Sequence, residues 1–278
     1  MSEILYKDIN GLKICYNIRG EGYPIFLVHG FIKKEFWIGQ IDELSKEFKV
    51  IWFDNRGMGK SDRSDKEYTM EIFADDLKGL MDSLEIKKAH FVGHSMGSQI
   101  LLNFSLKYPN CINKLILMSA LATWPQDKSG LEMYKKSQIA LYEAKMKDPE
   151  IAFYNKMKIR FTRDFLKSLK EDPKKKFHGI FSAEDLMQIE NIDPMTPQDI
   201  INYADAIGGH DTLNRLHEIK NETLIICGRK DKLGPKLEAD KINERIPNSD
   251  LKMVSGSHWF PLENAPEVNQ TIIEFLEN

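Results

Sequence analysis

A serine, an aspartate and a histidine can together cleave a carbonyl compound, and this chain offers a candidate for each. Gly93-His94-Ser95-Met96-Gly97 sets a serine between two glycines. Flanking glycines are what a sharp strand-to-helix turn needs where backbones crowd, and such a turn exposes the serine hydroxyl. An apolar run, Ala89–Val92, comes before it, and a helix-like segment, Ser95–Tyr108, follows and stops before Pro109. That context separates the string from a chance Gly-x-Ser-x-Gly match. A serine hydroxyl is a poor nucleophile until a neighbouring base takes its proton.

Elimination points to the base. In a strand–turn–helix site of this kind the triad runs serine, acid, histidine along the chain. Of seven histidines, His29, His90 and His94 precede Ser95, and His178, His210 and His217 precede the later strands. Only His258 follows the last strand, in the loop Ser255-Gly256-Ser257-His258. The acid belongs in the loop after the strand before that. Thr223–Cys227 is followed by Gly228-Arg229-Lys230-Asp231, so Asp231 is the candidate to accept the imidazole N–H and fix its tautomer. Asp240 falls within a predicted helix, and Asp250 starts the last strand, at the wrong end of the sheet.

Developing negative charge needs two preorganised donors. One is the N–H of Met96, the residue after the serine. The other comes from the loop His29-Gly30-Phe31, with the Phe31 N–H the choice and Gly30 the alternative. His29 itself reads as support for that loop. Asp54-Asn55-Arg56-Gly57-Met58-Gly59-Lys60-Ser61-Asp62 superficially resembles a phosphate-binding loop, but Asp stands at position 54, where that motif requires its first glycine. It reads as a tight, charge-pinned loop beside the site.

Residues this far apart in sequence need a sheet to bring them together. Ile4–Asp8 and Leu12–Ile18 form a hairpin around Asn10-Gly11, a pair that tolerates positive φ. Ile25–Val28, Lys49–Phe53, Ala89–Val92 and Lys114–Met118 are short and apolar on both faces, the pattern of a parallel sheet covered by helices. Ile38–Glu47, Met70–Leu84 and Ser95–Tyr108 are the helices between them. This alternation predicts an α/β fold. From Leu121 to about Asp211 it stops, giving way to a Lys-, Glu-, Met- and aromatic-rich stretch with helical periodicity, with Pro149, Pro173, Pro194 and Pro197 as helix boundaries. It resumes with the strand Thr223–Cys227, the helix Pro235–Arg245, the strand Asp250–Val254 and the helix Ala265–Leu276. The organisation expected is a core domain in two parts, residues 1–120 and 213–278, with a helical insertion at 121–212 placed like a lid.

The bulk properties exclude several function classes. A length of 278 residues fits one domain with an insertion. The net charge of -3 supplies no field that would draw in nucleic acid or an anionic membrane. The opening MSEILYKDING has no basic start followed by a long apolar stretch, and runs such as Leu115–Met118 are too short to span a bilayer. A soluble, cytoplasmic protein is expected. Cys15, Cys111 and Cys227 read as buried free thiols. The histidines lack metal-ligand spacing and no cofactor fingerprint is present, so neither a metal nor a cofactor is expected. Oligomeric state is not legible. Lys174-Lys175-Lys176, and the basic excess from Lys156 to Lys176, read as solvated surface.

The sequence resembles the α/β-hydrolase superfamily over essentially its whole length. The carriers are His29-Gly30-Phe31, Asp54–Ser61, Gly93–Gly97, Gly228–Asp231 and Gly256–Trp259. They are most similar to the small esterases, lactonases, cofactor-free haloperoxidase-like enzymes and carbon–carbon bond hydrolases of aromatic degradation. The resemblance implies a mostly parallel sheet of about eight strands flanked by helices, with an α-helical cap. It also implies attack of Ser95 on a carbonyl, an acyl-enzyme, and release of the acid by water that His258 activates. Serine at position 95 differs from the dehalogenases and epoxide hydrolases of this fold, which use Asp there. Trp259 resembles the carbon–carbon hydrolases. Those enzymes usually carry Asn before the nucleophile, where this chain has His94, and use a cap arginine, for which Arg160 and Arg163 are both available. Position 98 is Ser where many relatives have Gly.

The expected activity is hydrolysis of a small to medium, largely apolar carboxylic ester. Carbon–carbon bond or lactone hydrolysis is the alternative, and a slow-turnover small-molecule receptor is the alternative from another class. Trp259, Trp124 and His94 are the candidate substrate contacts. Met133, Tyr134, Tyr142, Met146, Phe153, Tyr154 and Met157 either line a pocket or form the insertion's own core.

Overall fold

The computed structural model describes residues 3–124, 127–191 and 195–278. Its eight strands are β1 (Leu5–Ile9), β2 (Leu12–Arg19), β3 (Tyr23–Val28), β4 (Phe48–Phe53), β5 (Ala89–His94), β6 (Ile112–Met118), β7 (Glu222–Gly228) and β8 (Ser249–Val254). They form one sheet in the order β1-β2-β4-β3-β5-β6-β7-β8. The pairs β1–β2 and β2–β4 are antiparallel, and every other pair is parallel. Asn10 and Gly11 close the first hairpin with φ of 51° and 81°, the left-handed conformations that the pair was expected to supply.

The helices are α1 (Ile41–Leu44), α2 (Met70–Ser83), α3 (Met96–Lys107), α4 (Lys128–Lys147), α5 (Pro149–Met157), α6 (Arg163–Glu171), α7 (Ala183–Asn191), α8 (Pro197–Gly208), α9 (Lys236–Asn243), α10 (Phe260–Glu263) and α11 (Ala265–Glu277). Alternate residues of the central strands go to opposite cores. Phe26, Val28, Phe91, Leu115 and Leu117 pack on one side of the sheet with residues of α2, α3 and α9. Ile25, Leu27, Val92, Ile116 and Met118 pack on the other with residues of α11. Because both faces are covered, these strands read as continuous apolar runs rather than alternating ones.

The helix expected over 38–47 is different. The chain forms a 3₁₀ segment over Lys34–Gly39 and then the single turn of α1. Phe36 and Trp37 are buried there, and Gln40 Nε2 donates to the Pro261 carbonyl at 2.5 Å. Tertiary packing against the α10 region outweighs the helical pattern.

Between β6 and β7 the described residues form the helices α4 to α8, with caps that account for their boundaries. Asp127, Asp148 and Thr162 accept from the N–H groups of Gly130, Ile151 and Phe165, and Thr196 with Asp199 forms a capping box. Pro149 and Pro197 occupy first-turn positions, where a missing N–H costs nothing, and Pro173 lies just past α6. Pro194 lies outside the described residues. Cys15, Cys111 and Cys227 are free thiols, with Cys15 and Cys227 buried. Among the described residues, no helix is long and apolar enough to cross a membrane.

Besides His258, the histidines His29, His90, His94 and His210 are buried, and burial lowers the pKa of each of these four. His90 and His210 fall to about 4 and His94 to about 3. These side chains are neutral in the fold but take up a proton once unfolded below about pH 6.5. The unfolded state then binds more protons, so stability falls as pH drops from 6.5, and the loss levels off near the folded values. The expected slope is about 1.4 kcal/mol per pH unit for each histidine. Guanidinium titrations at pH 7 and pH 5 measure it, and an unchanged midpoint would contradict neutral burial.

Candidate active site

The parallel order β5-β6-β7-β8 puts the C-terminal ends of these strands along one edge of the sheet. Ser95 follows β5, Asp231 follows β7 by three residues, and His258 follows β8 by four. The expected triad residues meet there. Ser95 Oγ is 3.1 Å from His258 Nε2, and His258 Nδ1 is 3.1 Å from Asp231 Oδ2 and 3.2 Å from Oδ1.

The turn at Ser95 is as sharp as its glycines imply. Ser95 sits at φ 55°, ψ -123°, a strained conformation costing about 1–3 kcal/mol. A Cβ on Gly97 would lie 2.1 Å from the Val28 carbonyl oxygen, so only glycine lets α3 start this close to β3. Ser98 holds the turn from behind. Its hydroxyl oxygen lies 2.9 Å from both the Gly93 and Met118 carbonyls, which share its one proton, and accepts from the Met118 N–H.

Met96 is the first residue of α3, so its N–H has no intrahelical acceptor. A Cβ on Gly30 would lie 2.9 Å from Met96 N, which puts the loop after β3 directly against the turn. That loop is braced. His29 Nε2–H donates to the Phe53 carbonyl at 2.7 Å, and Asn55 Nδ2 donates to the His29 carbonyl. The segment after β4 is pinned by charge as expected. Asp54 accepts from the Lys34 and Lys60 N–H groups, and Arg56 makes a two-pronged ion pair with Asp76 at 2.6 and 2.7 Å.

Asp231 is buried and faces four donors. Its Oδ1 accepts from the Leu233 and Gly234 N–H groups at 2.8 and 3.0 Å, its Oδ2 accepts from the Ser119 hydroxyl at 2.6 Å, and both oxygens face His258. Burial alone would raise its pKa. The His258 imidazole, the Gly234 N–H and the Ser119 hydroxyl override burial and hold it at about 2. Ser119 has φ 51° and follows β6 directly. Nothing in its sequence context marked it.

The His258 loop has two further supports. His94 Nε2 donates to the His258 carbonyl at 2.8 Å, and the His94 ring stacks on Phe36 at 4.7 Å. At 1% exposure, His94, expected among the substrate contacts, lies buried behind the loop. Glu263, which sequence reasoning missed, accepts from the Ser257 and Thr162 N–H groups at 3.1 Å. It ties the His258 loop to the start of α6.

Residues of α4, α5, α7 and α8, together with Phe31 and Met58, line a cleft. Ile32, Leu141, Tyr142, Phe153, Met187 and Ile200 supply apolar wall, and Lys33, Lys145, Lys156 and Glu190 are its charged lining among the described residues. Ser95 and His258 are not part of this lining. Trp259 and Trp124 do not line it either. Trp259 is buried against Phe36 and Phe161, with the Arg160 guanidinium 5.5 Å from its ring. Trp124 packs on Tyr134. Met133 and Met146 are exposed on the outside and Met157 is fully buried, so of that group Tyr142 and Phe153 reach the cleft. Among the described residues no three His, Cys, Asp or Glu side chains converge as metal ligands.

Residues 23–265 match the family described by the alpha/beta hydrolase fold. Across the whole chain, similarity extends to a 2-hydroxy-6-oxononadienedioate/2-hydroxy-6-oxononatrienedioate hydrolase of Burkholderia vietnamiensis, 31% identical over 97% of this chain and 93% of that one. A protein of Caulobacter segnis named for carbamate hydrolysis, RutD, is 26% identical over 95% of this chain and 96% of its own. Among solved structures, the enol-lactonase from Burkholderia xenovorans superposes with a TM-score of 0.82 at 23% identity, covering 99% of this chain and all of the other.

Proposed function

This chain belongs to the alpha/beta hydrolase fold family, and from that premise we propose that it is a serine hydrolase cleaving carboxylic esters through an acyl-enzyme on Ser95. One observation carries the reading: an unbroken relay from Ser95 Oγ through His258 to a carboxylate held ionised.

In the proposed cycle His258 Nε2 takes the Ser95 proton as Oγ bonds to the ester carbon. Asp231 orients the ring and stabilises the imidazolium. The oxyanion is held by the N–H groups of Met96 and Phe31. The imidazolium then protonates the departing alkoxide, leaving an acyl-Ser95 ester and the free alcohol. Water, deprotonated by His258, attacks that ester, and the acid leaves as the proton returns to Ser95. The helices between β6 and β7, residues 121–212, act as a lid that keeps bulk water from the acyl-enzyme.

A second reading, carbon–carbon bond hydrolysis, draws support from relatives named as a dienoate hydrolase, 28% identical, and a nonadienedioate/nonatrienedioate hydrolase, 31% identical. A panel of p-nitrophenyl esters from acetate to decanoate, run beside a dienone substrate, separates the two. Ester turnover that depends on Ser95 and shows a chain-length optimum is the expected result. Dienone cleavage without ester turnover would replace the first reading with the second.

A further inference from the structure

Three lysines converge on one helix end beneath the lid. Lys33 Nζ donates to the Ile189 carbonyl at 3.0 Å, Lys145 Nζ donates to the Glu190 carbonyl, and Lys156 Nζ lies 2.5 Å from Glu190 Oε2. They come from the loop after β3, from α4 and from α5, and they meet at the last turn of α7. The carbonyls of a helix end carry about half a negative charge and Glu190 one more, so among the described residues the cations are in excess. Each ammonium has three donors, and each uses one here on the described residues. Arg160 adds a further cation close by, its Nη1 donating to the Lys156 carbonyl.

One cation would suffice to cap α7. Gathering three in a partly buried cleft is unfavourable unless an anion offsets them. Burial pulls both Lys33 and Lys156 down to about 8. Phe31, whose N–H is the candidate oxyanion donor, and the apolar side chains of Ile32, Leu141 and Phe153 line the same cleft as these lysines.

We infer that Lys33, Lys145 and Lys156 form an anion subsite that holds a carboxylate at the end of the substrate remote from the scissile carbonyl. This rests on the hydrolase reading above and narrows it: the preferred substrate has an apolar middle and a charged far end. The apolar side chains take the chain, and the lysines take the carboxylate by charge-assisted hydrogen bonds.

The test uses two independent readouts. In the first, calorimetry on Ser95→Ala protein compares adipate with hexanoate, two acids of equal length. Adipate is expected to bind at least tenfold more tightly. Lys145→Met, which removes a donor to a backbone carbonyl and leaves no carboxylate unpaired, is expected to cut that advantage to threefold or less, and Lys33→Gln to reduce it likewise. In the second, with Ser95 intact, the mono-p-nitrophenyl ester of adipic acid is expected to exceed p-nitrophenyl hexanoate at least tenfold in kcat/KM, mostly through KM. Equal binding of the two acids overturns the subsite, as does an adipate advantage that survives in both lysine variants with their folds intact. Preserved adipate selectivity without turnover of either ester would retain the subsite and overturn the ester reading alone.

Discussion

Ser95→Ala is expected to lower ester kcat by about five to six orders of magnitude, the loss that follows when a hydrolase nucleophile that works as a unit with its base is removed. The substitution deletes one oxygen and the 3.1 Å contact to His258. Alanine inherits the left-handed backbone at this position, as serine does, so the turn keeps its shape and its strain. Residual rate comes from the oxyanion donors and from binding alone. Steady-state kinetics at enzyme concentrations fixed by absorbance, with a preparation free of wild-type enzyme, together with a thermal melt, decide the matter. A folded variant within tenfold of wild type would remove Ser95 from the mechanism.

Asp231→Asn is the second large effect, expected at about four orders of magnitude in kcat. Its direction follows from a count of donors. Oδ1 already accepts two backbone N–H groups, from Leu233 and Gly234. In asparagine the single carbonyl oxygen stays with those donors, and the amide NH₂ replaces Oδ2, facing Ser119 and His258. That amide donates to Nδ1, so the ring proton moves to Nε2. An imidazole protonated at Nε2 cannot take a proton from Ser95. The cost to folding is about 1–3 kcal/mol from the imperfectly satisfied Ser119 contact. A variant with less than tenfold loss in kcat would place the acid elsewhere in the chain.

The strand ends and the glycines around them made most of this arrangement readable before any coordinates. Gly93, Gly97, Gly30 and Gly228 each stand where backbone passes within about 3 Å of the position a Cβ would occupy, and such demands leave a sequence trace. Partners recruited across the fold leave none. Ser119 reaches Asp231 across 112 positions, and Glu263 ties the His258 loop to Thr162 across 101. Lys156 and Arg160 sit on a strongly basic stretch that reads as solvated, yet their heads turn inward, because the direction of a helix face depends on what packs against it. His94 is expected among the substrate contacts, and the sheet edge buries it behind the His258 loop, where its ring N–H donates to the His258 carbonyl.

Ser95 and His258 are 163 positions apart, and β7, β8 and all the helices from α4 to α8 lie between them. Synthesis runs from the N-terminus, so the nucleophile's strand and helix leave the ribosome well before its base exists. Throughout that interval Ser95 is an ordinary alcohol, unable to acylate itself on cellular esters or to cleave them. Reactivity switches on in a single late event, the docking of the last strand beside β7. A ribosome-stalled chain ending before that strand should therefore be silent toward a fluorophosphonate label, and the released full-length chain reactive.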